Sequence, residues 1–437
     1  MWRNDGRHLF RFLQFALCAT LISGCEATFG PDSSGKLDRQ HGGLVVAEES
    51  QAVRIAHDIL LVGGTAADAA VALGFGLTVS LPSSAGLGGG GMCLVYDAEV
   101  GTAQVLDFLP KPAKGQADIA ERQVAVPATA RGLYALHSRY GRIPWSQVVL
   151  PAENLARAGS IVSRALAHDL AEGAGALLND GRALDQFMPS GRSVAQEGDR
   201  LDQSGLAVTM SGIRVGTPKY YYSAEVSESF DRSSKLAGVS VVGGDIRRYK
   251  PSWADVEAKQ MGSLDVFRAV GQLSHLTEEP NSSGLVAMAA ATGFAVADFE
   301  GNAVACGLTM VTPFGVGVMP PGFGFLFAPS PTDSLENFLP LIIDIAVDSI
   351  ISDVVYAAAP VAIGSVQSMK SDIQSVFSDD LSSLYDFSSP PSGEGVTRSN
   401  VFNAFYCDAG VRRDIERCTV KNDPADLGFG IIVMKER

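Results

Sequence analysis

Ser83-Ser84-Ala85-Gly86-Leu87-Gly88-Gly89-Gly90-Gly91 runs straight into Met92-Cys93-Leu94-Val95-Tyr96-Asp97. A run of glycines loses too much backbone entropy to sit inside a helix, so the chain makes a tight loop there. The apolar stretch that follows reads as a buried strand. Gly101 then turns the chain into Ala103 to Phe108, completing a hairpin. Upstream, Ala52, Ile55, Ala56, Ile59 and Leu60 fall on one helical face of Gln51 to Leu61, and Gly63-Gly64 stops that helix. Ala66 to Val79 is a second, alanine-rich helix whose Ala70, Gly74 and Gly76 allow a close neighbour.

Downstream, residues 124–159 return to helices punctuated by Pro127, Pro144 and Pro151. Residues 170–265 mix helix and loop without a readable motif, and the polar stretch 269–284 reads as an exposed linker. Phe294 to Asp298 alternates like a strand, Phe299-Glu300-Gly301-Asn302 turns it, and Ala303 to Met310 returns. A second glycine-rich stretch, Phe314-Gly315-Val316-Gly317, follows. Residues 340–364 are apolar enough for core strands, and 378–400 are Ser- and Pro-rich and loop-like.

Several of these blocks, in this order, resemble the γ-glutamyltransferases, the glutathione hydrolase family. Gly63-Gly64-Thr65-Ala66-Ala67-Asp68-Ala69-Ala70-Val71-Ala72 is similar to the family's GGNAVDAAVA helix, and the stretch 83–91 to its SSGLGGGG loop. Val126-Pro127-Ala128-Thr129-Ala130-Arg131-Gly132-Leu133 and Tyr140-Gly141 to Pro151-Ala152 resemble the next blocks. Asp298 with Gly301-Asn302-Ala303-Val304 resembles the hairpin after the family's nucleophile, and Phe314 to Gly317 its FGTG block. The match begins near residue 43 and is thin between 160 and 290. It implies an α+β fold, an αββα sandwich of the N-terminal-nucleophile hydrolase type. It also implies a chain that cuts itself before a threonine, whose hydroxyl then attacks a γ-glutamyl amide with its own amine as base.

The catalytic positions depart from that pattern. The family shows Thr-Thr-His before its strand. Counted back from Asp298, these positions hold Ala291, Thr292 and Gly293, leaving Thr292 as the candidate nucleophile. Side chains alternate along a strand, so a slip of one residue turns the hydroxyl to the other face unless a bulge restores it. The family's DFRETAP segment, whose arginine grips the glutamyl carboxylate, becomes Asp107-Phe108-Leu109-Pro110-Lys111-Pro112-Ala113. Lys111 is the candidate substrate-binding cation, yet a lysine cannot reproduce the arginine fork and reads rather as a solvated side chain. The SSMSP serines fall on Glu336-Asn337-Phe338-Leu339-Pro340 and the GSPGG turn on Ala358-Ala359-Pro360-Val361-Ala362. The asparagine expected before FGTG is Val311 or Thr312. Each lost oxyanion donor costs about 2.7–4 kcal/mol of transition-state stabilisation, so these changes together should abolish ordinary γ-glutamyl transfer.

Arg3, Arg7 and Arg11 precede an apolar run, Phe12 to Ile22, too short to span a bilayer, and Leu21-Ile22-Ser23-Gly24-Cys25 matches a bacterial lipobox. Cys25 is therefore the expected lipidation site, and Glu26 after it favours the outer membrane. Cys407 and Cys418 are expected disulfide partners in an oxidising periplasm. Cys93 and Cys306, in apolar surroundings, are expected to be buried free thiols. The net charge of −14 argues against nucleic acid. With 46% hydrophobic and 19% charged residues the chain is globular. The glycine-rich loop lacks a P-loop ending, the Ser83-Ser84 pair reads as loop structure, and the histidines are scattered without metal-ligand spacing, so neither cofactor nor metal is expected.

The expected organisation is a lipoprotein signal peptide at 1–25, a tether at 26–42, a large-subunit-like region at 43–290 and a small-subunit-like region at 291–437. The expected function is a γ-glutamyl peptide hydrolase/transferase fold with impaired or altered activity, lipid-anchored in the bacterial envelope and facing the periplasm, with a small γ-glutamyl or related amide as substrate. The alternative is a catalytically dead binding or scaffold protein.

Overall fold

In the run Gly42–Ala47, Leu44 and Val46 face one way and Val45 and Ala47 the other, and all four are buried. This strand, β1, therefore lies inside the molecule with a core on each side. The computed structural model describes residues 41–115, 120–217, 219–271, 290–331, 341–359, 361–362, 400–401, 403–421 and 428–434. The expected signal peptide with Cys25, most of the linker, the segment around Glu336 and the Ser/Pro-rich stretch before Asn400 lie outside them.

The other strands of the first sheet are β2 (Gly90–Asp97), β3 (Thr102–Phe108) and β4 (Ser252–Val256). The second sheet opens with β5 (Lys259–Met261) and β6 (Leu264–Gly271). β7 (Ala290–Asp298) and β8 (Ala303–Val311) belong to the first, and β9 (Leu341–Asp348), β10 (Asp353–Ala358), β11 (Ala404–Cys407) and β12 (Cys418–Lys421) to the second. β13 (Phe429–Met434) returns to the first sheet, whose order is β13-β1-β7-β8-β2-β3-β4. The second runs β5-β6-β9-β10-β11-β12, and these neighbours pair antiparallel.

Two helices pack on the outer face of the first sheet. Helix α1 (Ser50–Leu61) starts where the Glu49 carboxylate accepts the Ala52 N–H at 2.9 Å. Helix α2 (Ala66–Ser80) starts with a capping box between Thr65 and Asp68 and is buried on all sides, as its largely apolar composition requires. Val45, Phe294, Val296, Cys306 and Leu308 meet this helical layer. The opposite face carries Leu44, Val46, Ala295, Ala297, Ala303 and Ala305, which meet Ile343, Ile345, Ala357 and Phe405 of the second sheet. Helix on sheet on sheet, with alanines at the inter-sheet seam, is the α+β sandwich of the N-terminal-nucleophile type.

The expectation of free thiols at Cys93 and Cys306 is overturned. Both are buried, but they form a disulfide. The β2–β8 register sets them directly opposite with Cα atoms 4.1 Å apart, the close spacing of a non-hydrogen-bonded antiparallel pair. Cys407 and Cys418 are likewise bonded across β11 and β12.

Candidate functional site

The inter-sheet end of β7 is where the resemblance locates the chemistry. β7 pairs with β8 in unbroken register from Ala291 opposite Thr309 to Ala297 opposite Ala303. The one irregularity lies on the partner strand, between Thr309 and Val311. Nothing therefore rotates β7, and its alternation holds. Ala291, Ala295 and Ala297 enter the inter-sheet core, while Ala290, Phe294 and Val296 enter the core beneath the helices. Thr292 belongs to the second set. Its side chain is fully buried and its hydroxyl has no hydrogen-bond partner.

The position that faces the second sheet is thus an alanine. Across from it, Thr309 follows Ala303 and Ala305 on the inter-sheet face of β8. Its hydroxyl donates to the Ala290 carbonyl at 2.7 Å and accepts the Val311 N–H at 2.9 Å. Two residues along β7, Gly293 leaves no room for a side chain. A Cβ there would sit 1.8 Å from the Ala359 carbonyl oxygen. Asn403 fastens this contact. Its side-chain amide donates to the Gly293 carbonyl at 2.9 Å, and its own carbonyl accepts the Ala359 N–H at 3.2 Å. Asn403 is fully buried and its Oδ1 has no partner.

The other expected positions are apolar or spent on structure. Leu109 is buried in the same core cluster as Ala291 and Ala359. Lys111 is exposed, its ammonium 5.3 Å from the centre of the Tyr249 ring, whose hydroxyl donates to the Leu109 carbonyl at 3.1 Å. Asp298 is a fold-holding carboxylate. It accepts N–H bonds from Ala66 at 2.8 Å and from Glu300 and Asn302 at 3.0 Å. Burial raises its pKa, opposed by the bonds from Ala66 and Asn302. Of Val311 and Thr312, Val311 holds the unusual backbone, with φ +68°. A β-branched residue in this left-handed region costs about 1–2 kcal/mol, whereas asparagine visits it readily. Phe314, which opens the second glycine-rich stretch, also has positive φ, +60°.

Thr309 and Asn403 were not singled out from sequence. Thr309 could have been, from its odd position on an alternating strand. Nothing near Asn403 signals that it reaches Gly293, since that contact spans 110 residues. Among the described residues no cluster of three or more His, Cys, Asp or Glu is arranged to hold a metal ion.

A helical layer on two stacked antiparallel sheets, with the candidate chemistry at the inter-sheet end of a central strand, defines an N-terminal-nucleophile hydrolase fold. The family described as Gamma-glutamyltranspeptidase matches residues 52–292, and the chain belongs to it. The glutathione hydrolase proenzyme of Escherichia coli is 31% identical over 229 residues, which are 48% of this chain and 39% of that protein. That of Bacillus subtilis is 29% identical over 254 residues, 53% of this chain and 43% of that protein. The matches thus span about two-fifths of these relatives' length. A solved cephalosporin acylase from Bacillus halodurans overlays 94% of this chain and 100% of its own, with TM-score 0.69 and 17% identity, a likeness of fold.

Proposed function

We propose that this chain is an envelope member of the γ-glutamyltranspeptidase family whose self-cleavage and γ-glutamyl transfer are impaired and whose fold is kept for binding. In this reading it is tethered through a lipid on Cys25 and faces the periplasm. The observation that carries it is the alternation at 291–293. The inter-sheet face presents alanine and glycine, and the lone hydroxyl of Thr292 is turned into the core under the helices. A nucleophile must reach both a base and the acyl carbon, and Ala291 offers no atom for either. Two cross-strand disulfides suit an oxidising compartment and so support the export reading.

The competing reading, a hydrolase of altered acyl specificity cut before Thr292, rests on family membership. A denaturing gel and one substitution separate the two. The purified chain should stay a single band and turn over no γ-glutamyl anilide. Thr292→Val, which keeps the shape and removes an unpaired buried hydroxyl, should leave the gel unchanged and raise stability by about 1 kcal/mol in urea melts. Two bands meeting near residue 291 in the parent, lost in Thr292→Val, would establish the competing reading instead.

A further inference from the structure

An opening away from Ala291 lies at the far end of the first sheet. It is a cavity of about 400 Å³ where the β2–β3 turn, the β7–β8 turn and the segment after Arg139 converge. Seven steps along β7, from Ala291 to Asp298, separate it from the nucleophile position by about 23 Å at strand rise. It is therefore no part of the family's reaction centre. Its volume lies at the small end of the range for specific ligand sites.

The charges lining it are unequally used. Arg142 is held by both carboxylate oxygens of Glu300, at 2.8 and 2.7 Å. Arg412 is paired with Asp353, its Nε 3.4 Å from a carboxylate oxygen. Arg139 has no carboxylate partner among the described residues. Its guanidinium instead lies 4.8 Å from the Trp253 ring centre and 5.7 Å from that of Tyr140. One N–H of this guanidinium is spent on the Tyr140 hydroxyl, and the others stay available to a carboxylate. Glu99, exposed in the turn of the β2–β3 hairpin, has no cationic partner among the described residues. Arg139 and the two carboxylates Asp97 and Glu99 thus border the same opening without an ion-pair partner among the described residues, Asp97 accepting only the Glu99 and Val100 N–H groups. Tyr140 supplies a rigid wall, its hydroxyl tied to Gln104 at 2.7 Å.

From Arg139 set with Asp97 and Glu99 around one cavity, we infer a binding site for a zwitterionic short peptide, its carboxylate on Arg139 and its ammonium against Asp97 and Glu99. A free anion would leave Glu99 facing it, and a free cation would leave Arg139, so each end of the ligand selects against singly charged molecules. The volume suits two or three small residues. The site is independent of whether the chain retains catalysis, and its test reads binding alone.

Calorimetric titration of the intact chain with trialanine, N-acetyl-trialanine and trialanine amide tests it. Trialanine should bind saturably, and each capped peptide about tenfold more weakly. Arg139→Gln should remove the preference for a free carboxylate, and Glu99→Gln should weaken the preference for a free amine, which Asp97 alone then supports. Both positions are exposed, so unchanged melting curves should accompany these losses. No saturable binding of trialanine at millimolar concentration would overturn the inference. So would equal binding of trialanine and its capped forms, or Arg139→Gln and Glu99→Gln both binding like the parent.

Discussion

Gly293→Ala should lower the stability of the chain by about 3–4 kcal/mol, read as a fall in the urea midpoint at unchanged slope. The new methyl would point at the Ala359 carbonyl oxygen from 1.8 Å, a distance no relaxation of a side chain can open because both partners are backbone. Either β7 or the segment after β10 must move. Either movement breaks the pair of bonds through which Asn403 joins Gly293 to Ala359. Those bonds are fully buried, and each orphaned group adds its desolvation cost. Gly181→Ala is the matched control. No atom lies within 4 Å of its added methyl, so it should stay within about 0.5 kcal/mol of the parent.

This result bears on function as much as on stability. Where the family resemblance requires a histidine beside the nucleophile, the two sheets touch through their backbones. A cleft cannot open at that level of the seam while Gly293 and Ala359 are in contact. Were Gly293→Ala to melt within 1 kcal/mol of the parent, the sheets would have to be further apart than described. Room for a substrate beside Ala291 would return, and the binding-only reading would lose its steric basis.

What the sequence makes legible follows from the range of each signal. Helix α1 is legible through its local apolar period and α2 through its alanine-rich composition, and their caps at Glu49, Thr65 and Asp68 also act within one turn. The β2–β3 and β7–β8 hairpins are marked by Gly101 and by the Asp298 to Asn302 turn, again local. The displacement of alanine, threonine and glycine along 291–293 is visible from counting alone. Which way Thr292 points depends on where a bulge falls, and the bulge lies on β8, a strand whose own sequence does not mark it. The pairing of β13 with β1 and the approach of Ala359 to Gly293 bring together residues far apart in the chain. No periodicity encodes either. The Val311 backbone was likewise hidden, because a valine gives no hint of a left-handed conformation.

The same long range governs the second large effect. Breaking Cys93–Cys306, by Cys93→Ala with Cys306→Ala, should cost about 5 kcal/mol, against about 3 kcal/mol for the corresponding double change at Cys407 and Cys418. The difference comes from loop length. The first bond closes a separation of 213 residues and the second a separation of 11, so the first removes far more freedom from the unfolded chain. Position adds to it, because Cys93–Cys306 joins β2 to β8 beneath the helical layer, next to the strand that carries Thr292. Losing both sulfurs leaves a small void in a dense core, whereas Cys407–Cys418 clips two short strands of the second sheet. Urea melts of the two double variants, each with and without reductant, distinguish the contributions. Reductant should pull the parent's midpoint down and leave the double variant at Cys93 and Cys306 shifted only by its remaining bond. A parent midpoint indifferent to reductant would show that the strands β2 and β8 hold together without the covalent link. The two cysteines would then be opposed thiols, as their apolar surroundings suggest before the register is known.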